Sequence, residues 1–214
     1  MVDMRKLAVL LLAAMVAGCS SSPPAEKKPE EAKAGAKPTA AAPQLETGRT
    51  AFYEMMRKAR TWAPDAKPYR LESAANKDAP GTEGKAIVWR AWFASPSKGS
   101  VKPYAWSGGS GEGMPEKGVS FGPEDTYSPT NRSTQVFELE FFKVDSDQAY
   151  KVAQEKGGEA LEKKSPGTQT YYTLDFDGSA HELIWHVAYG DSPSEYRLKL
   201  AVDASTGGFL RKEH

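Results

Sequence analysis

Between Thr50 and Trp62 the apolar residues Ala51, Met55, Ala59 and Trp62 are spaced by four, four and three, with Arg57, Lys58 and Arg60 on the other side. That spacing predicts a helix, which Ala63-Pro64-Asp65 stops. The period then changes to two. Ile87, Trp89, Ala91 and Phe93 alternate with Val88, Arg90 and Trp92, predicting a strand over Ala86 to Ala94, a turn at Ser95 to Gly99 and a returning strand over Ser100 to Trp106. Further on, Phe137, Leu139 and Phe141 alternate, predicting a strand over Gln135 to Val144. Asp145 is placed to cap a helix with Gln148 at its third position, and Gly157-Gly158 is placed to end it. Strands follow over Tyr171 to Phe176, Leu183 to Tyr189 and Tyr196 to Val202, and Asp203 to Gly208 closes the ladder before a short Phe209-Leu210-Arg211 tail.

Leu183-Ile184-Trp185-His186-Val187-Ala188-Tyr189 repeats the pattern of Ile87-Val88-Trp89-Arg90-Ala91-Trp92-Phe93, and each precedes a Ser-Pro turn. With a helix ahead of each, this predicts an internal duplication. The fold class expected is α+β, as two tandem helix-plus-antiparallel-sheet units over residues 47–127 and 128–214, joined through the Gly- and Pro-rich stretch Ser107 to Ser128. Lys143 to Ala149, Leu183 to Tyr189 and Ala201-Val202-Asp203-Ala204-Ser205-Thr206-Gly207-Gly208 together resemble PepSY-like domains, with the first unit a looser copy. That resemblance implies a small unit with a helix on an antiparallel sheet, found outside the cytoplasm, with docking or inhibition of proteases for some members. It implies no catalytic residues.

The amino-terminal end reads differently. Arg5 and Lys6 precede the apolar run Leu7 to Val16, the layout of an export signal over residues 1–18. Ten apolar residues make only about 15 Å of helix, against a hydrocarbon core of about 30 Å, so the run is too short to span a membrane. Val16-Ala17-Gly18-Cys19 resembles the bacterial lipobox, and Cys19 is the only cysteine in the chain. The resemblance implies acylation of Cys19, palmitate included, so that membrane lipid is the first partner expected. Two or more acyl chains, at about 0.8 kcal/mol per buried methylene, hold a protein firmly to a bilayer. Ser20 after the cysteine points to the outer membrane, facing the periplasm. Residues 19–46 then form a linker, because Ser20 to Glu46 is almost entirely Ser, Pro, Ala, Lys, Glu, Gly and Thr.

Composition narrows the function classes. Among 214 residues there are 28 basic and 28 acidic side chains, so no charge surplus exists to displace phosphate counterions, and nucleic acid is not an expected partner. One cysteine permits no intrachain disulfide. Of three histidines, His181 and His186 fall on opposite faces of a predicted strand and His214 is terminal, so neither a metal nor a cofactor is expected. Ser95-Pro96-Ser97-Lys98 spells the S-x-x-K of serine acylases in a turn, without the helix that chemistry needs. Trp92, Tyr104 and Trp106 are expected together on the hairpin face away from Trp89, either exposed as a patch for an envelope protein or protease or buried where the second unit packs on that face. The expected function is a lipid-anchored binding or inhibitory module without covalent chemistry. The alternatives are a periplasmic hydrolase using His186 and an architectural envelope spacer.

Overall fold

The computed structural model describes residues 42–74, 76–77 and 79–214. Cys19, the expected export signal and most of the expected linker lie outside the described residues. In chain order come β1 (Glu46–Thr47), α1 (Gly48–Trp62), β2 (Lys67–Ser73), β3 (Lys85–Ala86), β4 (Val88–Ser95), β5 (Ser100–Ser107), β6 (Gly118–Phe121) and β7 (Asp125–Thr126). They are followed by α2 (Ser146–Ala153), α3 (Glu159–Lys164), β8 (Gln169–Asp177), β9 (Glu182–Gly190), β10 (Tyr196–Asp203) and β11 (Phe209–Glu213). Helix α1 forms because Ala51, Phe52, Met55, Met56 and Ala59 make one buried stripe. It ends where Ala63, forced extended by Pro64, sits at φ −147° and ψ 119°.

Nine strands make one sheet in the order β11-β10-β9-β8-β2-β4-β5-β6, with β7 also on β5, and every pairing is antiparallel. A separate short ladder joins β1 to β3. The central pairing, β2 with β8, matches Leu71 to Leu174, so both halves of the chain contribute to a single continuous sheet. One face carries Leu71, Trp89, Phe93, Tyr172, Leu174, Trp185, Val187 and Leu200, which pack with Phe52, Met55 and Ala59 of α1 and Ala149 of α2 in one apolar cluster.

At its centre the two helix starts meet. The indole of Trp89 donates to the Glu46 carbonyl at 2.9 Å and that of Trp185 to the Val144 carbonyl at 2.9 Å, in each case two residues ahead of a helix. The rings lie edge to face at 6.3 Å. Gly48 fits against both, since a Cβ there would come within 2.8 Å of Trp185 and 3.1 Å of Trp89. Thr47 makes no side-chain cap for α1. The amides at its start are taken up by the other helix: Gly48 N–H donates to Ser146 Oγ at 2.7 Å and Arg49 N–H to Asp145 Oδ1 at 2.8 Å. Asp145 Oδ1 also accepts from Ser146 N–H at 2.7 Å, and Gln148 completes the predicted capping box. One carboxylate therefore serves the positive ends of two helices.

Several expectations are corrected. Gln135 to Val144 is not a strand. It rounds the end of the sheet with a single 3-10 turn at Leu139–Phe141, and it buries Phe137 and Phe142, whose spacing of five fits no strand. Its amides bond to Pro68 and Ala204 carbonyls instead of to a ladder. Gly157, at φ 126°, does not end the second helix, because the chain passes through a π-type turn at Gln154–Gly158 and resumes as α3. The tail after Gly208 is an edge strand paired to β10, since the tight turn at Asp203 to Gly208 reverses the chain directly onto it. Part of the expected joint, Gly118–Phe121 and Asp125–Thr126, folds back on β5. The two expected units share one sheet and one core.

Because Asp145 caps both helices, Asp145→Ala is expected to cost about 2–3 kcal/mol, more than a single cap is worth, while Asp145→Asn, which keeps an acceptor, should cost about 1 kcal/mol or less. Urea denaturation of both variants measures this, and a loss below about 1 kcal/mol for the alanine variant would contradict the shared cap.

Candidate functional site

The side chains on the sheet face away from the helices are mostly polar. Strand register brings them together: Thr173 faces His186, Arg70 faces Asp175, Glu72 faces Arg90 and Lys199 faces Glu213. His186 holds the middle. Its Nδ1 lies 2.9 Å from Glu213 Oε2 and its Nε2 lies 3.3 Å from Asp175 Oδ1. Glu213 reaches it diagonally from the edge strand β11, where it is paired with Lys199 of β10, while the residue of β10 opposite His186 is the small Ala201. The same carboxylate also meets Lys199 at 3.2 Å and Arg211 at 3.1 Å. A shallow cavity of about 630 Å³ opens over this cluster, lined by Arg70, Thr173, Asp175, His186, Lys199 and Glu213 among others.

Burial alone would push the imidazole down, but hydrogen bonds to Asp175 and Glu213 and their charges outweigh it and hold its pKa at about 8. The hydrogen bond from His186 holds Glu213 down at about 2 against the opposing effect of burial, and Lys199 adds to the shift. At neutral pH both groups are charged, and both ring nitrogens donate to carboxylates. No ring nitrogen is left to take a proton from a hydroxyl. The nearest cavity hydroxyls do not change this: Ser194 Oγ pairs with Ser192 Oγ at 3.1 Å, and neither it nor Thr173 bonds to His186. A triad needs one nitrogen on a carboxylate and the other on a nucleophile.

The expected aromatic patch does not assemble. Trp89 faces Trp106 across the hairpin and Ala91 faces Tyr104, so Tyr104 and Trp106 lie on the core face, 3% and 8% exposed. The four-residue loop Pro96 to Gly99, with Ser95 paired to Ser100, puts odd-numbered residues of β4 opposite even-numbered ones of β5, which reverses the phase expected for the returning strand. Trp92 alone points the other way, where Tyr127 and Val136 of the crossing segment pack beside it. Ser95 ends β4, donating to Asp65 Oδ1 at 2.7 Å, while the Lys98 ammonium sits 5.6 Å from the Trp62 ring centre. His181 packs edge-on against Phe176 at 5.4 Å. No group of metal-ligating side chains forms among the described residues, and no helix among them is long and apolar enough to cross a membrane.

The His186 cluster was beyond sequence reasoning. Alternation locates Asp175 and His186 on strands, but not the register that pairs their strands, and without β11 Glu213 had no place at all. The available signal was Arg211, Lys212 and Glu213 continuing a strand after a Gly-Gly turn.

Comparison with known proteins agrees with the fold. No protein-family model matches the chain, and no curated protein matches it. Among solved structures it is similar to a "putative lipoprotein" from Clostridium difficile 630, with a TM-score of 0.51 and 11% identity, covering 76% of this chain and 91% of that one. That likeness places the described chain in the same α+β architecture.

The His186 ion cluster predicts a pH profile. The raised histidine pKa adds stability that is complete below about pH 6.5 and is lost as pH rises through about 8. The lowered Glu213 value reports the same contacts from the other side, complete above about pH 4.5 and lost as pH falls through about 2. Between pH 6 and pH 9 the wild type is expected to lose about 2 kcal/mol relative to His186→Gln. Denaturant unfolding across that range checks it, and parallel curves for the two proteins would contradict it.

Proposed function

We propose that this chain is a lipid-anchored envelope protein, held through acylated Cys19, whose body binds a partner on the open sheet face without covalent chemistry. The observation that carries this reading is that His186 has both ring nitrogens committed to carboxylates inside a solvent-accessible cavity. The most reactive-looking group on that face is thereby fixed as a charged recognition element. We further propose that the body derives from two PepSY-like units that have merged their sheets. In support, Trp89 and Trp185 each sit on the strand preceding a hairpin return, and each donates to a carbonyl two residues ahead of a helix. The outer membrane, facing the periplasm, is the location that Ser20 favours. An envelope protein or a protease remains the class of partner the resemblance implies, and the docking surface is moved from the hairpin aromatics to the polar face.

Two measurements test this. Labelling with radioactive palmitate should mark the wild type and leave Cys19→Ala unlabelled; equal labelling would overturn the anchor. Photo-crosslinking residues placed in cells at Thr173 and Lys199 should give discrete adducts, and one placed at Arg57, on the outer side of α1, should give none. Adducts from Arg57 alone would reject the open face as the binding surface.

A further inference from the structure

A second cavity, of about 250 Å³, adjoins the first and shares Arg70 and Asp175 with it. Its other walls are Tyr69, Phe176 and, from the segment that crosses this face, Arg132, Ser133 and Gln135. Hydrogen-bond donors predominate. Arg70 uses Nε on Glu72 at 3.0 Å, and its two terminal amino groups make no bond to a described residue. The Arg132 guanidinium makes no hydrogen bond or ion pair to any described residue. Gln135 accepts from Gly178 N–H through Oε1 at 3.1 Å, which leaves its Nε2 amino group to donate. Ser133 adds a hydroxyl. The one carboxylate in the wall, Asp175, is already engaged by His186. Over the joined cavities, the cations of Arg70, Arg132, His186 and Lys199 stand against the carboxylates of Asp175 and Glu213, with Glu72 paired to Arg70 beside them, in a chain whose formal net charge is zero.

We infer that this notch binds a free carboxylate, with Arg70 and Arg132 as the two forks that grip it and Gln135 and Ser133 as additional donors. Guanidinium forks match the paired oxygens of a carboxylate, and each fork is a rigid plane that can donate two parallel hydrogen bonds. The carboxylate could belong to a peptide's carboxyl terminus or to a small organic acid. The larger cavity alongside gives room for the residues that would precede a peptide terminus. The inference deepens the open-face reading given above and rests on it only for biological context, because carboxylate binding can succeed or fail independently of where a protein partner crosslinks.

Ligand-observed NMR titration of the full chain in detergent tests it, using N-acetyl-trialanine with a free carboxyl end, the same peptide as its amide, succinate and inorganic phosphate. The free acid is expected to bind, and its carboxy-amide to bind at least tenfold more weakly. Arg132→Gln, in an exposed segment, should weaken the acid about tenfold, with Arg132→Lys intermediate and Arg57→Gln, on the helix side, unchanged. Because both arginines are partly or fully exposed, affinity should also fall as salt rises. Preference for the tripeptide acid over succinate would identify a peptide terminus as the source, and equal binding would identify small acids. Equal binding of acid and amide, tighter binding of phosphate than of either carboxylate, or an unchanged affinity in Arg132→Gln would overturn the assignment.

Discussion

A single carboxylate, that of Asp145, accepts hydrogen bonds from the first turns of two helices that begin nearly a hundred residues apart. Helix starts leave amides without intrahelical partners, and here the first helix has no capping side chain of its own. Its exposed donors are met by Asp145 and by Ser146, whose hydroxyl also donates to the Gly84 carbonyl at 2.6 Å. Directly beneath, Gly48 lets the helix backbone settle onto Trp89 and Trp185. Nothing larger would fit, and the two indoles would be pushed apart. Polar caps and apolar packing are thus satisfied together or not at all, and this binds the two halves of the chain into one cooperative body.

The consequence for the sheet is a division of labour between its faces. Helices and large aromatics fill one side to exclusion of water. The other side is partly covered, by the segment that carries the chain from β7 round to α2 beside Trp92 and by Ala79 and Met114 beside Val88, and its middle carries paired charges. A polar sheet face costs little while solvated, and the hydrogen bonds from His186 to its two carboxylates orient side chains of three strands without closing the surface. That combination suits recognition: positions are fixed by strands, and the groups that face solvent are charged and directional.

Much of this could be read in the residues. The first helix, the capping box at Asp145, both hairpins and the inward placement of Trp89 and Trp185 follow from local periodicity and local chemistry, where the interaction partners are near in sequence. What could not be read depends on register or on distant partners. Tyr104 and Trp106 change face with one residue of turn length. The phenylalanines of Gln135 to Val144 alternate as a strand would, yet no sheet edge is available where they lie, so the burial of Phe137 and Phe142 decides their path. Glu213 becomes a partner of His186 only after a strand that composition hardly distinguishes from a tail has paired. The cap on the first helix is invisible for the same reason, since its acceptors lie on the second.

The central claim is that the two helix starts and the two indoles form one joint that opens only when the whole body unfolds. Hydrogen exchange of the Trp89 and Trp185 indole Nε1–H groups, followed by NMR, tests this most directly, because each is buried against a carbonyl beside one helix start. The account predicts that both exchange with the same opening free energy, equal to that of global unfolding. If one indole exchanges through an opening more than about 1.4 kcal/mol easier than the other, a tenfold difference in population, the halves open separately and the joint does not unite them.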